Sequence, residues 1–258
     1  MNNNYYIDSH AHLCREYYPN DFQKVIQRAV ENRVEKIILP CVSAESVPDI
    51  VEVTQLYPQH IFPLIGLHPT DVNQEYKKQL ILLEKHLDNN TIVGIGETGI
   101  DLYHDTTFFA EQLAAFETQL QWAIELKKPL SIHIRDGFNE ALAVLKKYKK
   151  YSLRGILHCF SGGIQEAKWA IDNGFLLGIS GVVTFKKNKL QEIVKEVGIY
   201  ALALETDAPF LAPDPYRGKR NESAYIPLIA EKVATVLDTS VEEVMKITTK
   251  NVEAIFVI

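Results

Sequence analysis

Short apolar runs alternate with longer amphipathic stretches along the chain, and this alternation constrains the fold more than any other feature. The apolar runs are YYID near Tyr5, KIILP near Ile37, FPLIG near Leu64, TIVGIG near Val93, LSIHI near Ile132, GILHC near Ile156, FLLGIS near Leu177 and LALE near Leu202. Helical periodicity fills the intervals at Asp21–Asn32, Ala44–Tyr57, Gln74–Leu87, Phe108–Lys127, Gly137–Lys147, Gln165–Asn173 and Asn188–Val197. Two further helices are predicted at Tyr225–Leu237 and Val241–Phe256. A strand that is apolar on both faces and is followed by a single helix belongs in a parallel sheet. Eight such units in 258 residues predict an α/β protein, a closed (β/α)8 TIM barrel, with residues 1–258 as one domain.

A doubly wound open sheet would show the same alternation. Gly94-Ile-Gly96-Glu97-Thr98-Gly99 fits the GxGxxG pattern of dinucleotide-binding turns. Such a turn must open directly into a helix, whose N-terminus receives the pyrophosphate. Here Ile100-Asp101-Leu102-Tyr103 comes next, and helical pattern begins only near Thr106, so the match is read as accidental.

Composition enters as a set of exclusions. With 47% hydrophobic residues, 23% charged residues and only 3 cysteines, the chain is neither disordered nor a disulfide scaffold. A chain this long builds its own core, so a bound metal would serve chemistry rather than folding. The net charge of −6 argues against coating of duplex DNA but does not exclude a nuclease, because a divalent metal can neutralise phosphate locally. Cys14, Cys41 and Cys159 form no CxxC pair, which points to a reducing compartment. No secretory signal is visible in MNNNYYIDSH, and no 18-residue apolar stretch occurs, so a cytoplasmic location away from membranes is expected.

Chemistry concentrates where the predicted strands end. His10 and His12 close the first strand, His68 follows the third, His133 ends the fifth and His158 ends the sixth. Glu97 follows the fourth, and Glu205 and Asp207 follow the eighth. In a parallel barrel all of these converge on the C-terminal rim, where barrel active sites lie. One histidine at a strand end is usually a hydrogen-bonded structural residue, and His60, His86 and His104, away from strand ends, are read that way. Five histidines with carboxylates on one rim form a metal site instead. The HxH spacing puts residues i and i+2 on one face, so both imidazoles can grip one ion. Imidazole suits zinc and the transition metals, whereas all-oxygen cages suit magnesium and calcium. Four imidazoles with two or three carboxylates exceed one tetrahedral ion and suit a pair about 3.5–4 Å apart, with Glu97 between them. Such a centre activates water, and the predicted chemistry is hydrolysis.

Asp8-Ser-His10-Ala-His12, Gly66-Leu-His68-Pro69, Gly96-Glu97-Thr-Gly-Ile-Asp101, His133-Ile-Arg135, His158-Cys-Phe-Ser-Gly162 and Glu205-Thr-Asp207-Ala-Pro209 resemble the successive signatures of the TatD family. These are metal-dependent hydrolases or DNases within the amidohydrolase-like barrels. The stretch Pro215-Tyr-Arg217-Gly218-Lys219-Arg220-Asn221-Glu222 is similar to the family's segment after the last strand, so the resemblance runs from Asp8 to Glu222. Thr98, Ile100 and Ser223 depart from the usual residues without touching a proposed ligand.

The resemblance implies one or two divalent ions (Mg, Mn or Zn). His10 and His12 would hold one with Asp207, Glu97 would bridge, and His133 and His158 would hold the second. Related barrels often bridge with a carboxylated lysine, but no lysine ends the fourth strand here. The implied reaction is phosphodiester hydrolysis in nucleic acid, with Asp207 and Glu97 as catalytic groups. Supporting roles keep their alternatives open. His68 donates to a substrate phosphate or makes a loop hydrogen bond. Arg135 binds phosphate or forms a surface salt bridge. Asp101 and Glu205 would orient the ligating histidines. Arg217, Lys219 and Arg220 grip a nucleic-acid backbone or form a solvated loop. Cys159 reads as a small buried residue rather than a nucleophile.

The expected function is a deoxyribonuclease trimming single-stranded DNA ends. The alternative is a metal-dependent hydrolase of a small phosphoester, amide, lactone or aminoacyl-tRNA ester, because fold does not dictate substrate. A silent binding protein would have no chemical need for six intact ligands.

Overall fold

The computed structural model describes residues 4–186 and 188–258. The one-domain expectation spans residues 1–258, of which 1–3 and 187 lie outside the described residues. Eight strands form one parallel sheet in chain order: β1 Tyr6–Asp8, β2 Val34–Leu39, β3 Ile61–Ile65, β4 Gly94–Asp101, β5 Leu130–Arg135, β6 Gly155–Leu157, β7 Phe175–Ile179 and β8 Leu202–Leu204. The sheet closes on itself. Ser9 N donates to Leu204 O at 3.0 Å, and Ala11 pairs with Ala208 in a parallel bridge. Closure rules out the open doubly wound sheet.

Helices α1 Phe22–Glu31, α2 Val47–Leu56, α3 Tyr76–Glu84, α4 Phe109–Glu125, α5 Phe138–Lys147, α6 Ile164–Asp172, α7 Lys189–Val197 and α8 Ile226–Leu237 follow the strands in turn, and α9 Val241–Phe256 ends the fold. Each helix turns an apolar stripe to the sheet; in α1 these are Val25, Ile26 and Ala29. Local chemistry marks the boundaries. The Asn188 side chain caps α7 by accepting from Leu190 N, and Ser240 caps α9 by accepting from Glu243 N. No helix among the described residues is long and apolar enough to cross a membrane.

Strand alternation divides the apolar residues between two cores. Ile37 and Leu39 of β2 and Ile65 of β3 belong to the large core between sheet and helices. Ile7, Ile38, Leu64, Ile156 and Ala203 form a smaller cluster with Val252 and Phe256 of α9. Helix α9 also reaches the strand starts, where Asn251 Nδ2 donates to Leu202 O at 2.8 Å and Thr249 Oγ1 to Tyr5 O at 2.8 Å. The N-terminal end of the barrel is thereby covered with apolar side chains, and the polar residues occupy the opposite rim.

Strand β4 is longer than the sequence pattern implied. It runs through Asp101, so Glu97 lies inside the strand rather than after it, and the GxGxxG match is strand, not phosphate-binding turn. Its glycines allow neighbouring backbones to approach. A Cβ on Gly99 (φ 143°) would lie 1.9 Å from His133 O, and one on Gly96 (φ 155°) would lie 2.9 Å from Ser131 O. The close pairing of β4 with β5 therefore demands glycine at these places.

Candidate metal centre

The rim residues are delivered by backbone that the barrel holds rigidly. Strand β1 ends at Asp8, and His10 and His12 lie just beyond it on either side of Ala11, which bridges to Ala208. His12 N donates to Ala208 O at 2.7 Å and Asp207 N donates to His10 O at 2.9 Å, which ties both histidines to Asp207 through backbone. Asp8 is fully buried and fastens the same junction, accepting from Thr206 N at 2.9 Å and from Thr206 Oγ1 at 2.5 Å. Asp207 has φ 55°, a left-handed conformation that aspartate tolerates better than most residues.

Glu97 is the hub. Its Oε2 lies 3.1 Å from His10 Nε2 and 3.4 Å from His12 Nε2. Its Oε1 lies 2.7 Å from His158 Nε2, 3.0 Å from His133 Nδ1 and 3.2 Å from His68 Nε2. Each oxygen of one buried carboxylate thus faces its own set of imidazoles. Asp207 Oδ1 stands on the first side, 3.6 Å from His12 Nε2 and 3.9 Å from His10 Nε2. His10 stacks on His158 with ring centroids 3.8 Å apart, which joins the two sides.

Ring nitrogens from different histidines also converge. His10 Nε2 is 3.3 Å from His12 Nε2, and His133 Nδ1 is 3.1 Å from His158 Nε2. Glu97 Oε2 is buried without a hydrogen bond among the described residues. Lone pairs packed this closely around such an oxygen need a cation or protons between them, so the donor set fits divalent metal. Among the described residues, three combinations bring ligand atoms within 4.8 Å of one another: His10 with His158 and Asp207, His10 with His12 and Glu97, and His68 with Glu97 and His133.

Electrostatics follow the packing. Burial alone would raise the Glu97 carboxyl, but the surrounding imidazoles, His158 foremost, outweigh it and hold Glu97 well below the ordinary range. Burial drives His10 well below its ordinary value and His12 down to about 4, leaving both neutral with lone pairs available at pH 7. Burial is outweighed at His158, which Glu97 and Glu205 push upward. Burial lifts the Asp207 carboxyl to about 7, where it can take up and release a proton.

The supporting residues divide. Asp101 Oδ2 is 2.9 Å from His133 Nε2, the ring nitrogen away from Glu97. Glu205 stands 3.7 Å from His158 Nδ1, beyond hydrogen-bond reach, and instead accepts from Cys159 N at 2.5 Å. His68 makes the loop hydrogen bond, accepting from Thr70 N at 3.2 Å, and its other nitrogen lies 3.2 Å from Glu97 Oε1. Arg135 makes no ion pair among the described residues; its guanidinium lies 3.9 Å from the centroid of the exposed Tyr103 ring. Arg220 is engaged with Asp21 at 2.5 Å, and Arg217 stacks over Phe185, so the basic run is tied down in part. Cys159 is half-buried rather than buried, and desolvation pushes its thiol up to about 12, which disfavours the thiolate.

Two residues escaped the sequence reading. Ser131 Oγ lies 3.0 Å from His10 Nδ1, and its position two residues before His133 on β5 was the available signal. His104, read as structural, has Nδ1 2.9 Å from Asp101 Oδ2 and lines the cavity; the turn after β4 that brings it there has no sequence period. His60, by contrast, is structural as expected, with Nδ1 2.7 Å from Glu35 O. A cavity of about 960 Å³ opens above Glu97, bordered by Tyr17, Asp71, His104, Arg135 and Phe210.

A family model described as TatD related DNase matches residues 7–257. An uncharacterised metal-dependent hydrolase, YabD of Bacillus subtilis, is 35% identical over 251 residues, covering 97% of this chain and 98% of its own. YcfH of Escherichia coli, also an uncharacterised metal-dependent hydrolase, is 31% identical over 256 residues, covering 97% and 95%. The crystal structure of YJJV, a TatD homologue from Escherichia coli, superposes with a TM-score of 0.92 at 25% identity, covering 98% of each chain. With the barrel closed and the strand-end histidines gathered on one carboxylate, the chain belongs to the TatD family of metal-dependent hydrolases.

Proposed function

We propose that this chain hydrolyses phosphodiester bonds in single-stranded DNA, trimming from an end, with divalent metal at the Glu97 cluster and in a reducing, cytoplasmic setting. The observation that carries the reading is the division of the Glu97 oxygens, one toward His10 and His12 and the other toward His68, His133 and His158. That arrangement suits a bridging carboxylate between two ions. The family description and the open, Arg135-lined cavity support nucleic acid as the substrate class.

His10, His12, Glu97 and Asp207 would hold one ion, and His133 and His158 the other, with His68 on the same side. Divalent cations held there would supply Lewis-acid activation of water and neutralisation of phosphate charge. The chain's own groups do the rest. Asp207, whose Oδ1 stands 3.6 Å from His12 Nε2 at the edge of the cluster, accepts the proton of the attacking water. Asp101 fixes the His133 ring, and Ser131 fixes His10. Arg135, free of carboxylate partners among the described residues, donates to phosphate oxygens.

The test is digestion of end-labelled single-stranded DNA with Mg2+ or Mn2+, wild type beside Asp207→Asn. The expected result is a ladder shortening from one end in wild type, slowed by 10²-fold or more in the variant, as loss of a proton acceptor predicts (roughly 10²–10⁴). Intact DNA with every metal, alongside turnover of a small phosphoester, amide, lactone or aminoacyl ester, would overturn the nuclease reading.

A further inference from the structure

The mouth of the cavity carries large apolar surface that the core does not use. Tyr17 is 36% exposed, Phe210 48% and Leu211 39%, and all three border the same opening as the metal centre. The Tyr17 and Phe210 rings meet edge to face at 5.8 Å, and Phe210 stands 6.1 Å from the His12 ring. Exposed aromatics on mobile chain would mean little, but both of these are held. Buried Asn221 donates to Phe210 O at 2.6 Å, and Phe210 N donates to Asp207 O at 2.9 Å. Tyr17 ends a short 3-10 turn, Arg15–Tyr17, anchored where Arg15 N donates to Asp49 Oδ2 at 3.1 Å. A fixed ring pair beside a reactive centre loses little freedom when a flat partner binds.

Charge is distributed unevenly around the rim. Glu16, Glu45 and Asp71, from the turns after β1, β2 and β3, line the cavity on the side of Tyr17. Arg135, the last residue of β5, and His104, in the turn after β4, line it further round the strand order, next to exposed Tyr103. A phosphate backbone is repelled by the acidic sector and drawn to the Arg135 sector. A neutral base fits the acidic sector; a continuing strand does not.

We infer that Phe210 and Tyr17 form a stacking platform for the terminal nucleobase of a single-stranded substrate, with the rest of the strand leaving over Arg135. The inference rests on the phosphodiesterase reading and deepens it: the acidic sector accepts one nucleoside and no further phosphates, which restricts cleavage to an end. Phe210 and Tyr17 are positioning residues here, acting through where the terminal base is held.

The test compares single-stranded oligonucleotides whose terminal nucleotide is thymidine or an abasic residue, each end in a separate substrate, with Mn2+. Base–aromatic stacking predicts that wild type prefers the thymidine end by about 5- to 100-fold in kcat/KM, mostly through KM. In Phe210→Ala this preference collapses toward one, and in Phe210→Tyr it returns. Tyr17→Ala, on a separate turn, lowers the preference as well and serves as an independent arm if Phe210→Ala does not fold. An abasic residue several positions inside the strand has little effect in any of these proteins. A wild-type preference near one, or one that survives in Phe210→Ala and Tyr17→Ala, overturns the platform while leaving the phosphodiesterase intact. Failure of wild type to cut any oligonucleotide overturns both.

Discussion

At the scale of single residues, the imidazole cluster is backed by a buried carboxylate, Asp101. Asp101 Oδ2 lies 2.9 Å from both His133 Nε2 and His104 Nδ1, fully buried at the end of β4. An acceptor on the far nitrogen of a ligating imidazole fixes the ring and raises its basicity. Asp101→Asn is therefore expected to weaken metal binding by roughly 10- to 100-fold, measured by competition against a chelating dye. Unchanged affinity would place Asp101 in a purely structural role. The rim histidines were legible one by one because each follows an apolar run. Their pairing was not, since which nitrogen faces which oxygen depends on strand stagger. His104 shows the limit: nothing in Tyr103-His104-Asp105 announces that the turn folds back onto Asp101.

At the scale of elements, the segment after β8 is fastened to α1 by charge. Arg28 bonds Glu222 through Nε at 2.9 Å, and Asp21 receives Arg28 at 3.3 Å and Arg220 at 2.5 Å. The hydrogen bond from Arg220 is the main reason that the Asp21 carboxyl sits below its ordinary value. A carboxyl depressed in the folded state contributes stability above its unfolded value of 3.8, and that contribution fades as pH falls through the lower folded value. Asp21→Asn should thus lower stability by under about 1 kcal/mol near pH 7, since the pair is partly exposed. The difference from wild type should shrink as pH falls below about 4 in urea titrations. A difference that grows toward acid would contradict the assignment. Helix and strand positions were readable from periodicity because burial imposes it. The extent of β4 was not, because Gly94, Gly96 and Gly99 resemble a turn in composition, and the close approach of Pro129, Ser131 and His133 from the neighbouring segment explains them.

At the scale of the whole molecule, five histidines with Glu97 and Asp207 are gathered in one rim cavity, an arrangement in which ring nitrogens oppose each other. Metal that binds only the folded state stabilises it, by about 2.7 kcal/mol at a hundredfold excess over Kd. For a chain of this size that corresponds to a Tm rise of roughly 5 °C or more. Chelator-treated protein should show this rise on addition of Mn2+ or Zn2+, followed by thermal melts, and indifference to every divalent cation would remove the metal centre. Taken alone, the order of apolar runs and helices determined eight β/α units of a parallel sheet, whose closure the structure decided, and the placement of His10, His12, His68, Glu97, His133, His158 and Asp207 near strand ends determined which rim gathers the histidines and carboxylates. These are local properties, since a strand's burial and its terminal residue are written contiguously. Tertiary structure alone decided that Glu97 lies within β4 with its oxygens divided between two sets of imidazoles, that Ser131 and His104 join the site, and that Arg220 is spent on Asp21. Those contacts join residues far apart in the chain, and their distances are set by barrel closure and strand register, which no contiguous stretch of sequence encodes.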